Sequence, residues 1–384
     1  MKFNPDVRDC ITAPIAQALS WIKDPEDPNL LDVCQGASAR PPSQQLLTYL
    51  AETLGSGQGA TYTDIHGLAS LRGALSDNIN QRYDGDTQAD DISITAGCNQ
   101  AFCSVIDSLC RAGDEVIMML PCYFNHSMWL DIRGVTARYV PYDPDIGEPD
   151  LDAAQQLIGP RTRAISIVTP NNPTGAIYSP QCIEGLYELA RQAGIALIID
   201  ETYRDFTDAD TALHGLFQKP EWRETFIHLY SFSKAYSLTG YRIGAVACVS
   251  AIRTQLGKVL DCTAICASHT GQLAACYALN HLSDWKRENC DLIMERAKDL
   301  KQAFSHPDLK YQLLSTGAYF AWVRHPFNIT ARHAARKLIE NHQLVCLPGS
   351  YFGPDQDSYL RLAFANLESD QFPQVVQRLL ASQD

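Results

Sequence analysis

The chain has no Cys-x-x-Cys, no His-x-x-x-His and no His-Glu-x-x-His anywhere in its 384 residues. Those spacings hold structural and catalytic zinc, so a zinc framework is a poor fit. Its thirteen cysteines are an odd number scattered from Cys10 to Cys346. This argues for buried small apolar side chains in a reducing compartment rather than a disulfide scaffold. Positive charge is also scarce: 31 Lys and Arg stand against 44 Asp and Glu, for a formal net charge of -13. A broad nucleic-acid surface or an anionic membrane surface needs clustered cations, so both are disfavoured, while a local basic pocket stays compatible. No apolar run is long enough to cross a bilayer, and the opening MKFNPDVRDC lacks a signal-peptide stretch. The expectation is a cytoplasmic protein.

What is present is a large apolar complement, 46% of residues, enough for a sizeable core and for two domains, or one with an appendage. Up to about Gln35 the chain reads as an irregular arm with a Pro/Asp-rich stretch, KDPEDPN. Helical spacing follows in SQQLLTYLAETL, from Ser43, and in HGLASLRGALSDNINQRY, where Leu68, Leu71, Leu75 and Ile79 share a face. Seven short apolar runs then come at 91–95, 115–120, 136–142, 163–169, 195–200, 225–231 and 243–249. Helical stretches such as Asn99–Ala112 and Pro180–Ala193 separate them. That alternation predicts an α/β fold with a mostly parallel sheet between helices. After Cys248 the pattern is mainly helical to about Phe304. AYFAWV (318–323) and YLRLAF (359–364) then read as strands around the helix HAARKLIENH, a smaller α+β unit. The expected division is 1–45 for the arm and part of the small domain, 46–285 for the large domain and 286–384 for the small one.

Ligands of open α/β sheets bind beyond the carboxyl ends of the strands, and five of those ends carry informative loops. They are AGCNQAF with Gly97, PCYF with Tyr123, PNNPTG, Asp200 followed by ETY, and SFSK with Lys234. Taken singly, each is an ordinary turn, cap or surface charge; together they crowd one sheet edge. The Gly-rich GSGQG at Gly55–Gly59 is not a dinucleotide fingerprint, because a predicted helix rather than a strand precedes it.

SFSK with TGYRIG, preceded by PNNPTG and DETY, resembles the fold-type I pyridoxal-phosphate enzymes, in particular the class I/II aminotransferases, over about Gln35 to Phe364. The resemblance implies a pyridoxal 5'-phosphate cofactor with Lys234 as the amine that forms an imine with it. Lys234 then serves as general base and acid once substrate displaces it. It also implies Asp200 as the partner of the ring nitrogen, and Asn172 and Tyr203 as partners of the ring hydroxyl. Tyr123 matches the aromatic on the ring face. Gly97, with the helix opening at Cys98 and Asn99, and Ser231, Ser233 and Arg242 match the phosphate ligands. Arg361 in YLRLAF matches the grip on the substrate α-carboxylate, with Gly36 passing close to it. Tyr62 matches the tyrosine that reaches a neighbouring subunit's phosphate, which implies a homodimer with shared sites. By the same resemblance Pro121 and Pro173 are expected to follow cis peptide bonds.

The expected activity is therefore transfer of an α-amino group from an amino acid to a 2-oxo acid by a ping-pong cycle. A lyase, cyclase or decarboxylase acting from the same site is the alternative, since the bond held perpendicular to the ring decides which one breaks. A regulator built on this fold is expected to carry an added DNA-binding domain, for which this chain has neither the room nor the charge. One departure bears on specificity. The N-terminal substrate loop reads QGASARPP where many relatives carry a Gly-Glu-Pro-Asp-like run, and Arg40 in it is a candidate for facing the pocket and favouring an acidic or polar substrate.

Overall fold

The computed structural model describes residues 1–38, 40–207 and 212–383. All seven predicted runs are strands of one sheet: β1 (Ile92–Thr95), β2 (Glu115–Met119), β3 (Thr136–Val140), β4 (Thr162–Val168), β5 (Ala196–Asp200), β6 (Phe226–Ser231) and β7 (Gly244–Ala247). Their order is β1-β7-β6-β5-β4-β2-β3. Pairings are parallel except at β7, which runs antiparallel to both β1 and β6.

Strand side chains alternate between faces, so a sheet covered on both sides must feed two cores. Ile117, Met119, Ile165, Ile167, Leu197 and Ile199 enter one cluster, with Leu71, Leu75 and Ile79. Val116, Met118, Ala164, Ile198, Ile227 and Leu229 enter another, with Phe102, Val105, Leu256 and Leu260. The helix Pro180–Ala193 begins and ends where the sequence places it. Ser179 caps its start by accepting from the Cys182 N–H at 3.1 Å, Pro180 occupies the first turn, and Gly194 closes it at φ 64°.

A second sheet has four antiparallel strands: β8 (Gln312–Gly317), β9 (Phe320–Arg324), β10 (Leu347–Pro348) and β11 (Tyr359–Ala363), in the order β10-β11-β9-β8. The sequence reading finds β9 and β11 but not β8 or β10. QLLSTG in β8 is only half-buried along most of its length and shows no apolar run, and β10 has two residues. The N-terminal arm is more regular than expected. It holds two short helices, Pro5–Asp9 and Pro14–Leu19, and Leu31–Asp32 pairs in parallel with Leu344–Val345. The predicted helix 99–112 spans Cys98–Leu109. The bond before Pro121 is cis as expected; the other cis bond is Thr169–Pro170 and not the one before Pro173. Among the described residues no helix is long and apolar enough to cross a membrane.

Candidate active site

Register sets the last residue of β4, Val168, opposite the last residue of β5, Asp200, which in turn stands opposite Leu229 near the end of β6. Beyond these ends lies a cavity of about 550 Å³. Every site residue singled out from the sequence lines it except Gly97, Tyr62 and Arg40.

Asp200 closes β5 and is buried. Its Oδ1 accepts the Thr202 N–H at 2.9 Å, and His126 Nε2 stands 3.5 Å from Oδ2. Burial pushes this carboxyl up, but His126 and Thr202 outweigh that effect and hold it below the usual carboxylate value. His126 is fixed by stacking on Phe102, with centroids 3.7 Å apart. His126 carries no signature in the sequence. It lies three residues past Tyr123 in the helix Phe124–Ile132, and nothing local distinguishes it from a core histidine.

Lys234 follows β6 in the turn 233–236, and its Nζ donates to the Gly36 carbonyl. Burial, together with the charges of Arg361 and Arg242, pushes its amine down to about 8. A lysine among serines is thus neither solvated nor an ordinary ammonium. Tyr319 and Tyr203 place their rings 5.3 and 6.0 Å from Nζ.

Arg361 comes from the middle of β11 and is 2% exposed. Its Nη1 donates to Asn172 Oδ1 at 3.1 Å and its Nη2 to the Cys34 carbonyl. The guanidinium lies between the rings of Phe320 and Phe352, at 4.8 and 5.1 Å. Its Nε has no hydrogen-bond partner among the described residues. Asn172 is presented by the PNNPTG loop, where Asn171 Oδ1 accepts from both the N–H and the hydroxyl of Thr174. Gly175 in that loop passes so close to Gly317 that a Cβ would sit 2.3 Å from the Gly317 nitrogen.

At the other end, Gly97 precedes the helix Cys98–Leu109 with φ +86°. A Cβ there would meet Arg242 Nη2 at 2.3 Å, and one on Gly244 would meet the Cys98 nitrogen at 2.6 Å. Two glycines therefore let the helix start lie on β7 beneath Arg242. Arg242 itself adopts φ +54° and donates from Nη1 to the Thr239 carbonyl at 2.8 Å. The Ser233 N–H donates to Ser231 Oγ at 3.2 Å.

Tyr123 donates to Asn99 Oδ1 at 3.4 Å and accepts from Asn125 Nδ2 at 3.1 Å. Burial pushes its phenol up to about 12, and that of Tyr203 well above its ordinary value. Gly36 lies against Phe320, with a Cβ placed 3.0 Å from that ring. Tyr62 stands outside the cavity and is 75% exposed. Arg40, a candidate for facing the pocket, is not on the cavity wall; its guanidinium stacks 5.3 Å over Trp285, an aromatic face that holds a cation without a pocket. The arm residues Ala13, Pro14 and Ile15 do reach the wall, which no local motif indicates.

The cavity carries Arg242 and a helix start at one end and the Asp200 carboxylate deep in its floor, with Lys234 opening onto the space they bound. Such a donor set suits a molecule with an anion at one end and a protonated nitrogen at the other, and the Gly97 cradle and unpaired Arg361 Nε suit further acceptors. A buried lysine at the carboxyl edge of this seven-stranded sheet, beside a smaller four-stranded one, gives the fold-type I architecture.

The family model for aminotransferase class I and II matches residues 28–379. The chain belongs to that family and is a pyridoxal-phosphate-dependent aminotransferase. It is 29% identical over 364 residues to an aromatic aminotransferase of Arabidopsis thaliana, covering 91% of this chain and 89% of the relative. It is 27% identical over 359 residues to an aspartate aminotransferase of Thermotoga maritima, covering 91% and 90%. The solved aspartate aminotransferase from Thermus thermophilus with maleate superimposes with a TM-score of 0.90, covering all of both chains at 20% identity, which speaks to the fold alone.

Proposed function

We propose that this cavity binds pyridoxal 5'-phosphate and moves an α-amino group from an amino acid to a 2-oxo acid in two half-reactions of a ping-pong cycle. The observation that carries the reading is the convergence of Lys234, Asp200, Arg361 and Arg242 on one cavity from three separate segments. When bound, the cofactor supplies an electrophilic carbonyl and an electron-withdrawing ring.

The chain's own residues divide the remaining work. Asp200, held ionised by Thr202 and His126, is placed to keep a ring nitrogen protonated. Asn172 and Tyr203 would hold the ring hydroxyl, and Tyr123 the ring face. Ser231, Ser233, Arg242 and the helix start at Gly97, Cys98 and Asn99 would hold the phosphate. Arg361, gripped by Asn172 and Cys34, would orient the substrate α-carboxylate beside Gly36. Lys234 Nζ, neutral above about pH 8, would take the proton from the substrate α-carbon and return it. Exposed Tyr62 is proposed to reach the site of a second copy in a homodimer, and the boundary between large and small domains is proposed to lie near residue 285.

The test is borohydride reduction of the cofactor-loaded protein followed by peptide mass analysis, together with a screen of amino donors for conversion of the bound cofactor to its pyridoxamine form. A cofactor mass on Lys234, absent from Lys234→Ala, and conversion by some donor are expected. Label on another lysine would sink the site assignment, and release of product from a donor with the lysine-bound cofactor absorbance restored and no pyridoxamine formed would favour a lyase.

A further inference from the structure

Apart from Lys234, Asp200, Arg242 and Arg361, the described cavity wall of one copy is uncharged. Among the described residues lining it, the cations are Lys234, Arg242 and Arg361, and the carboxylate is Asp200. Each of the three cations already has a role: Lys234 at the α-carbon, Arg242 at the phosphate and Arg361 at the α-carboxylate. No described cation on the wall is left for a second carboxylate, and Arg40 is held away over Trp285.

What surrounds the α-carboxylate grip is apolar. Phe320 and Phe352 flank the Arg361 guanidinium. Phe124, on the cavity wall, lies 5.5 Å from Phe352 between ring centroids, and Ile15 packs against the cluster that contains both. Pro14 and Ala37 extend the same surface. The neutral polar residues nearby are Gln35 and Asn125, and Asn125 Nδ2 is occupied by the Tyr123 hydroxyl.

We infer that the amino donor carries an uncharged, largely apolar side chain, seated between Arg361 and the wall formed by Ile15, Phe124 and Phe320. This rests on the aminotransferase reading of the same cavity. A side-chain carboxylate placed there would lose its hydration and gain no described partner, whereas an apolar or aromatic one exchanges water for ring and aliphatic contacts.

The test follows single half-reactions of the cofactor-loaded enzyme by stopped-flow absorbance with phenylalanine, leucine, methionine, aspartate and glutamate. At least one apolar donor is expected to exceed both acidic donors by roughly tenfold or more in the second-order rate constant. Aspartate or glutamate reacting as fast as the apolar donors overturns this inference and leaves the aminotransferase reading intact. Failure of every donor, with the cofactor still held on Lys234, overturns both. As a second arm, Ile15→Arg is expected to shift the phenylalanine-to-glutamate ratio roughly tenfold toward glutamate, because a buried charge pair becomes available. An unchanged ratio in the folded variant overturns the placement of the side chain against Ile15.

Discussion

Arg361 and Asn172 are joined by a hydrogen bond of 3.1 Å from Nη1 to Oδ1, across 189 positions of sequence. The bond ties a strand of the small sheet to the loop that follows β4 of the large one, so the substrate grip and the cofactor floor share an anchor. Arg361→Lys keeps a cation but loses the planar fork. The expected outcome is a rise in KM for the amino acid on the order of 10- to 100-fold, as for a lost charge-assisted hydrogen bond, with the bound-cofactor absorbance unchanged. Steady-state kinetics with a spectrum of each variant checks it; a KM equal to wild type would place the carboxylate elsewhere.

Cofactor uptake by the apoprotein should follow the ionisation of Lys234. Its amine is pushed down to about 8 from 10.5, so the reactive neutral form grows as pH rises through 8 and is complete above it. The rate of uptake is therefore expected to climb with pH to a plateau with its midpoint near 8. A midpoint near 10.5 would show that the lysine is solvated.

Gly97→Ala introduces a Cβ at φ +86° and 2.3 Å from Arg242 Nη2. The backbone conformation, at ψ 167°, is one that essentially only glycine adopts and alone costs about 1–3 kcal/mol, and the guanidinium must move. A lowered thermal midpoint and cofactor binding weakened by at least about tenfold are expected, since a charge-assisted phosphate contact is lost as well. Titration of the apoprotein followed by cofactor fluorescence measures the second effect separately from the first.

Behind the site, fully buried Glu201 accepts from the Tyr83 hydroxyl at 2.5 Å and from His228 Nε2 at 2.8 Å, and stands 3.1 Å from His214 Nε2. Burial pushes its carboxyl up, but His214 and His228 together pull it well below 4.5. A depressed carboxylate stabilises the fold fully above its unfolded value, and that contribution disappears as pH falls through the folded value. Glu201→Ala is expected to lose about 3–5 kcal/mol at pH 7, as for one partner removed from a buried pair, with the difference from wild type shrinking well below pH 4.5. Urea unfolding at several pH values provides the measurement.

Most of the large sheet was legible because all its strands but the edge strand β3 are buried on both faces and so appear as largely apolar runs, and because Ser179, Pro180 and Gly194 mark helix ends chemically. Half-buried β8 left no such trace. The residues at the strand ends were legible for a second reason: topology requires the ends of parallel strands to meet, so Asp200, Asn172 and Lys234 could be grouped without coordinates.

By itself, then, the sequence determined the order of elements, the sheet edge that carries chemistry and the side chains concentrated there. These follow from local periodicity, from turn chemistry and from one topological rule. The tertiary structure alone decided that His126 meets Asp200, that Gly36 and Cys34 of the arm contact Lys234 and Arg361, that Ile15 rather than Arg40 lines the cavity, and that Lys234 is desolvated. Each of those depends on contacts between segments far apart in the chain. Orientation, burial and the resulting shift in proton affinity are properties of the assembled surroundings, and no short stretch of residues encodes them.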